Sequence, residues 1–385
     1  MAPSYDVAAL RAAEFPWLDA EDGAYLNSAS TGPLPERAVR TLEEWAQRRR
    51  RPQTVMFDEQ FEILRTAREQ CAALIGADAS EVAIAGNTSV GVNLAARALP
   101  IRSGDVIVTS EGEFPANVYP WMLLAESVGA ELRLLPRRDD GPDEEALMDS
   151  LDDPRVRVLA VSWVAFGTGH RVDLARLGAA CRERDIYFVV DAIQGVGVLP
   201  LDVHACSIDI LASGSQKWLL SPWGTGFSYV RQELAERLTP PAAGWLSVEG
   251  AEDFSRLTHY EMTWPPRAAR FEVGTLPYEI LASMNSSLSL LLELGTASIG
   301  AHVQMLTERI VSWAEANPEV RLVTPSDPSR RAGIVSLVPA DAKSAVARLN
   351  AAQVVFSTRE GAVRLAPHCF NTIQDVDLAL AALTP

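Results

Sequence analysis

The sequence predicts an α/β protein with a mostly parallel main sheet, on three observations. Short apolar, β-branched runs end on charged or polar residues, as where Phe188-Val189-Val190 leads to Asp191. This is the pattern of a strand buried on both faces that delivers a side chain at its C-terminal end. Such runs alternate with helical stretches: VLAVS near Leu159 and FVV near Phe188 flank a helix from about Leu174 to Asp185, a right-handed crossover unit. The chain of 385 residues is also long enough for two to three domains of roughly 150 residues each.

Taken in order, residues up to about Asp22 form a short helical segment. YLNSASTGPLP, from Tyr25, is a strand running into a turn of small residues, which either admits a ligand to the backbone or enters a helix. Helical spacing then covers Glu36 to Arg51 and Phe61 to Ile75. The first helix ends in Arg48 to Arg51, a cluster that in an acidic chain fits a solvated helix end with local ion pairs. GNTSVGVNLAARAL follows the strand EVAIA and places Thr88 and Ser89 at a helix N-terminus. Free backbone N–H groups, two hydroxyls and the positive end of the dipole suit a phosphate there, although a plain N-cap uses the same residues. The strand DVIVTS, from Asp105, ends at EGEFPANVYPWMLLA. Ile208 to Ala212 is a second buried run, followed by the turn Ser213-Gly214-Ser215-Gln216 and then Lys217. WLLSPWGTGFSYV reads as a turn and an antiparallel-type strand, and Leu238 to Pro266 as irregular chain. A long helix from about Tyr278 to Leu294 leads to a smaller α/β unit, with strands around Val335, Val355 and Val363 and helices near Ala345 and Val376.

The composition excludes several classes. A net charge of −16 repels nucleic-acid phosphates and anionic membranes. Cys71, Cys181, Cys206 and Cys369 are scattered without CxxC pairs, against a zinc site or a disulfide framework. The absence of a basic-then-apolar leader or a membrane-length apolar run predicts a cytoplasmic location. No GxGxxG opens a helix in the first crossover unit, which disfavours a nicotinamide dehydrogenase.

Lysine usage singles out one residue. Of 34 Lys plus Arg only Lys217 and Lys343 are lysines, and a chain this poor in lysine still places one in a Ser/Gly turn after a buried strand. Arginine cannot replace an imine-forming amine, because it stays protonated, whereas a desolvated lysine can be neutral and nucleophilic. Lys343, in ADAKSAVARL, reads as an exposed helix face.

The ordered motifs GNTSVGVNL, EFPANVYPW, SWVAFGTG, VVDAIQGVG, SGSQKW, RFEVGT and VRLAPHCFNT, from about Tyr25 to the C-terminus, resemble the class V aminotransferase group of fold type I pyridoxal phosphate enzymes. That group includes cysteine desulfurases, isopenicillin N epimerase-like proteins and kynureninases. The resemblance implies a large cofactor-binding domain over 23–277, with a mixed, mostly parallel sheet between helices. It also implies an N-terminal segment, 1–22, packed on a small α/β domain that includes the connecting helix, over 278–385.

The cofactor implied is pyridoxal 5'-phosphate, bonded by Lys217, with Asp191 paired to the ring nitrogen and Gln194 to the phenolic oxygen. Phe114 would stack on the ring where many desulfurases carry histidine. Phe166 stands where desulfurases commonly have asparagine; an aromatic residue there is more like the epimerase-like branch and counts against desulfurase chemistry. Thr88, Ser89, Ser213, Ser215 and Gln216 would contact the phosphate, with the choice between the two serines open because the turn is one residue longer than SGHK. Thr275, in RFEVGT, would reach the phosphate of a neighbouring subunit in a homodimer.

Arg364 would grip the substrate α-carboxylate, with Arg359, in STREG, as its competitor. The activity implied is that of an enzyme acting at Cα of an amino acid, class V aminotransferase-like. The alternatives are an epimerase-like racemase, a β-eliminating C–S lyase, or a non-catalytic cofactor-binding regulator. Sulfur transfer is disfavoured because only Glu360 to Val363 separate Arg359 from Arg364, leaving no loop for a mobile cysteine ahead of the latter.

Overall fold

The computed structural model describes residues 5–384, so the first four residues of the expected N-terminal segment lie outside the described residues. Asp6 caps α1 (Val7–Glu14) by accepting the Ala8 and Ala9 amides, and α2 (Trp17–Ala20) follows. The buried Arg11 ties this segment to the far end of the chain, donating to Asp375 at 2.8 Å and to the Phe370 carbonyl. β1 (Ala24–Tyr25) then pairs in parallel with Val354–Val355. The expected boundary at 22/23 therefore falls ahead of a strand that shares hydrogen bonds with the C-terminal unit.

Next come α3 (Glu36–Arg49) and α4 (Phe57–Ile75). The second starts four residues earlier than the spacing predicts, because Glu59 in its first turn accepts the Met56 N–H at 3.2 Å and closes a cap there. The arginine cluster is spent locally: Arg48 pairs with Glu59 and lies over Trp45, and Arg49 pairs with Glu279.

The large unit alternates β2 (Val82–Ala85), α5 (Thr88–Ala98), β3 (Val106–Ser110), α6 (Tyr119–Val128) and β4 (Glu131–Leu135). A small hairpin of β5 (Arg137–Arg138) and β6 (Gly141–Pro142) leads to α7 (Glu144–Ser150), β7 (Val156–Ser162), α8 (Leu174–Glu183), β8 (Tyr187–Asp191), β9 (Ile210–Gly214), β10 (Gly226–Val230) and α9 (Gln232–Arg237). The seven strands run in the order β2-β10-β9-β8-β7-β3-β4, with β10 antiparallel to both neighbours and the remaining pairs parallel. Apolar clusters cover both faces, with Phe188 and Leu211 on one side and Val189 and Ala212 on the other. Open sheets of this kind bind ligands at the carboxyl ends of their strands, here Ser110, Ser162, Asp191 and Gly214.

The irregular stretch predicted for Leu238 to Pro266 carries no long element. α10 (Tyr278–Leu294) packs on α3 and α4. α11 (Thr296–Glu315), which the sequence reading did not separate, begins after a break at Gly295, whose φ of +78° suits glycine. The small unit comprises β11 (Val320–Leu322), β12 (Val335–Pro339), α12 (Ala342–Ala351), β13 (Val354–Val355), β14 (Ser357–Arg359), β15 (Ala362–Leu365) and α13 (Ile373–Leu383). Its antiparallel sheet, β11-β12-β15-β14, is backed by a separate core around Leu337, Leu349 and Val376. No helix among the described residues is long and apolar enough to cross a membrane.

Candidate active site

β8 is buried from Phe188 onward and ends on Asp191, a residue 3 % exposed. One carboxylate oxygen accepts the Ile193 N–H at 3.1 Å. Burial pushes the Asp191 pKa up to about 6, against the opposing influence of the Ile193 amide and the Lys217 ammonium.

Lys217 sits just past the neighbouring strand, on a turn gripped from several sides. The Gly32 N–H donates to the Gln216 carbonyl at 2.8 Å. A Cβ on Gly32 would lie 2.1 Å from the Lys217 carbonyl oxygen, so only glycine allows this approach. Leu220, with φ +51°, holds a left-handed conformation that is strained for a leucine, and its N–H returns to the Lys217 carbonyl at 3.2 Å. The Trp218 indole donates to Gln194 Oε1 at 2.7 Å and stacks on the buried His368 ring, 5.4 Å between centroids. Burial lowers the Lys217 pKa to about 8; Asp191 opposes the shift, and Arg364 and Arg359 reinforce it. An amine near neutrality and a buried carboxylate thus stand on adjacent strand ends, the arrangement the sequence predicts.

Around them, Lys217 Nζ lies 5.8 Å from the centroid of the half-exposed Phe114 ring, which meets Phe166 edge-on at 5.3 Å. The first turn of α5 reaches the end of β9, where Thr88 Oγ1 accepts the Gly214 N–H at 2.8 Å. The helix approaches this closely because residue 91 is glycine; a Cβ there would lie 2.6 Å from Ala212 Cβ. Asn87 caps the Val90 amide, leaving the Thr88 and Ser89 amides without an intrahelical acceptor, and the Ser89 side chain is exposed. Gln194 donates to the Ala29 carbonyl at 3.0 Å and accepts from Trp218, so one amide N–H stays open.

The two serines of the turn differ. Ser213 Oγ donates to the Gly214 carbonyl at 3.1 Å, whereas Ser215 Oγ turns to Met284 Sδ at 3.5 Å, on α10. The chain leaves the strand at Gly214, and that redirection carries Ser215 to the helix and not to Thr88. The Gln216 side chain folds over Gly214. Thr275 is exposed and lines a different cleft, with Trp45, Arg49 and Phe57.

Arg364 is 1 % exposed. Its Nε donates to Ser357 Oγ at 2.9 Å, one terminal nitrogen to the Phe166 carbonyl at 2.7 Å and the other to Ser30 Oγ at 2.7 Å. Burial and the neighbouring Arg359 charge lower its pKa to about 10. Arg359 reaches the same Ser30 hydroxyl at 3.4 Å.

Sequence reasoning passed over three residues here. Ser30 and Ser357 orient Arg364, and only the small hydroxyl-bearing NSASTG stretch hinted at the first. Glu113, next to Phe114, accepts the Ser162 N–H at 2.7 Å, the Ser162 hydroxyl and the Asn117 amide, at 3.1 Å. Burial raises its pKa to about 7, against those hydrogen bonds, and the charge of Asp191 adds to the rise. Ser162 pairs with Asp191 across the sheet, so Glu113 pins the Phe114 turn to the strand beside the buried carboxylate.

The fold and the placement of Asp191 and Lys217 define a fold type I cofactor enzyme. The chain belongs to the class-V aminotransferase family, which it matches over residues 24–377. It is 30% identical over 336 residues to a cysteine desulfurase of Klebsiella pneumoniae (strain 342), covering 84% of this chain and 80% of that one. It is 28% identical over 324 residues to the uncharacterized aminotransferase YcbU of Bacillus subtilis (strain 168), covering 84% of each. The apo structure of a cysteine desulfurase from Thermococcus onnurineus NA1 superposes with a TM-score of 0.87 at 25% identity, covering 99% of this chain and 98% of that one.

The family's cofactor is pyridoxal 5'-phosphate, and this chain is a pyridoxal phosphate enzyme acting at Cα of an amino acid. Its residues fit that group. A buried carboxylate whose neighbours are one amide and one amine can hold a protonated ring nitrogen. The open first turn of α5 suits a phosphate, and a half-buried lysine with a lowered pKa suits the covalent anchor.

Proposed function

We propose that the enzyme transfers an amino group from an α-amino acid, with Lys217 carrying the Cα proton and Arg364 holding the α-carboxylate. When bound, the cofactor supplies a ring that accepts the electrons left as a bond to Cα breaks. Asp191 would hold the ring nitrogen in its protonated form, and Phe114 would supply an aromatic face for the ring. Lys217, neutral above about 8, accepts the Cα proton at Nζ and can return it.

Arg364 carries this reading. Three of its five N–H donors are fixed by Ser357, Phe166 and Ser30, leaving one on each terminal nitrogen. It forms no ion pair among the described residues, and a buried cation without a counter-charge is costly. A carboxylate would take both open donors side by side. Arg364→Lys is expected to raise KM for amino acids roughly tenfold to a hundredfold, the loss of a charge-assisted hydrogen bond, while reaction with simple amines stays nearly unchanged. Equal losses for both would mean that Arg364 is structural.

A second reading, carbon–sulfur cleavage, draws support from the relatives named as cysteine desulfurases. Relay of that sulfur through Cys369 lacks support. Cys369 lies beyond Arg364, is 0 % exposed, has its thiol pKa raised by burial, and its N–H is bonded to His368 Nδ1. Mass spectrometry after incubation with cysteine should find no persulfide on Cys369; finding one would restore sulfur transfer.

The working unit under this proposal is a homodimer. Trp223, Tyr260 and Met262 expose 71%, 91% and 74% of their surface, as residues of an uncovered interface do. Thr275 would complete the partner's site. Sedimentation should give twice the chain mass; an active monomer would refute the dimer.

A further inference from the structure

Once Arg364 takes the α-carboxylate, a second guanidinium beside it is left without a counter-charge. β14 and β15 are joined by Glu360 and Gly361, with φ of +47° and +83°, the left-handed pair of a tight hairpin. The register sets Ser357 opposite Arg364 and Arg359 opposite Ala362. Residues two apart on a strand share a face, so Arg359 emerges on the face that Ser357 shares with Arg364. Both guanidiniums reach one hydroxyl, Ser30 Oγ, at 3.4 Å from Arg359 and 2.7 Å from Arg364.

Arg359 has no ion pair among the described residues; its other bond goes to the adjacent Thr358 carbonyl. The acid next to it in sequence, Glu360, is engaged by Arg137 at 2.9 Å. In a chain of net charge −16, two unneutralised cations side by side repel each other and favour anions. A single α-carboxylate supplies one negative charge, and the two open donors of Arg364 already accommodate it. The charge of Arg359 disfavours the protonated forms of both Arg364 and Lys217.

We propose that the substrate is an amino acid whose side chain ends in an anionic group, carboxylate or sulfinate, and that Arg359 is the residue that selects it. The proposal rests on the assignment of Arg364 to the α-carboxylate.

Calorimetric titration of the holoenzyme with unreactive acids tests it without turnover. Succinate and glutarate should bind roughly tenfold to a hundredfold more tightly than butyrate and valerate, as expected for an added charge-assisted contact. Arg359→Gln should erase that advantage and leave the monocarboxylates unaffected, and Arg359→Lys should restore part of it. Half-reactions with aspartate, glutamate and cysteine sulfinate, against alanine and cysteine, then separate carboxylate from sulfinate side chains. No preference for diacids, or equal losses for mono- and diacids in Arg359→Gln, would overturn the proposal while leaving Arg364 in place. Binding of both classes that is indifferent to Arg364→Lys would instead remove the assignment of Arg364, and this proposal with it.

Discussion

Lys217→Ala is expected to abolish borohydride-stable labelling by the cofactor, to remove the visible absorption of the lysine-bonded form, and to lower turnover by roughly a thousandfold or more. The rate effect follows from losing a positioned acid–base group, worth about 10²–10⁴ by itself, together with the covalent anchor. A pH profile separates this from loss of fold. Burial lowers the Lys217 pKa to about 8, so the amine is protonated and unreactive below that value and neutral above it. Labelling of the cofactor-free protein should therefore accelerate as pH rises and level off above about 8. A profile that goes on accelerating to a pH roughly two units higher would be that of an unperturbed amine, with its pKa near 10.4. Label recovered on Lys343, or a profile with no plateau, would sink the assignment of Lys217.

What was legible in the sequence depended on how local its cause is. The strand ending in Asp191 and the turn carrying Lys217 could be read directly, because a run buried on both faces is continuous in sequence and its end is marked by the first polar residue. The first turn of α5 was legible for the same reason. The face to which a residue turns after leaving the sheet was not: Ser215 belongs to α10 by the path of the turn, and no spacing distinguishes it from Ser213.

Partners set by tertiary packing were also hidden. Ser30 contacts Arg364 from 334 residues away in the chain, and the acidity of Glu113 is suppressed by burial, against the hydrogen bonds of Ser162 and Asn117, in surroundings that only the fold creates. The start of α4 was misplaced because its cap depends on a side chain within its own first turn, where apolar periodicity carries no signal.

Asp191→Asn isolates a charge from the shape that carries it. In the wild-type protein burial raises the carboxyl from 3.8 to about 6, so the folded state binds this proton more tightly than the unfolded chain does. Stability of the cofactor-free protein should consequently fall, through this group, as pH rises from about 4 to about 6. The asparagine variant should lose that dependence, and at pH 7 it should be no less stable than wild type, because it no longer buries an ionised carboxylate with one hydrogen bond. Catalysis should move in the opposite direction. With a cationic ring nitrogen against it the same carboxylate gains a buried counter-charge, and removing one member of such a pair costs roughly 3–5 kcal/mol, about 10²–10³-fold or more in the rate of Cα bond breaking. Cofactor capture on Lys217 should persist, since that bond forms at a different atom. A variant that melts early at pH 7 and loses cofactor altogether would make Asp191 a residue of the fold, and one that turns over at the wild-type rate would take it out of the chemistry.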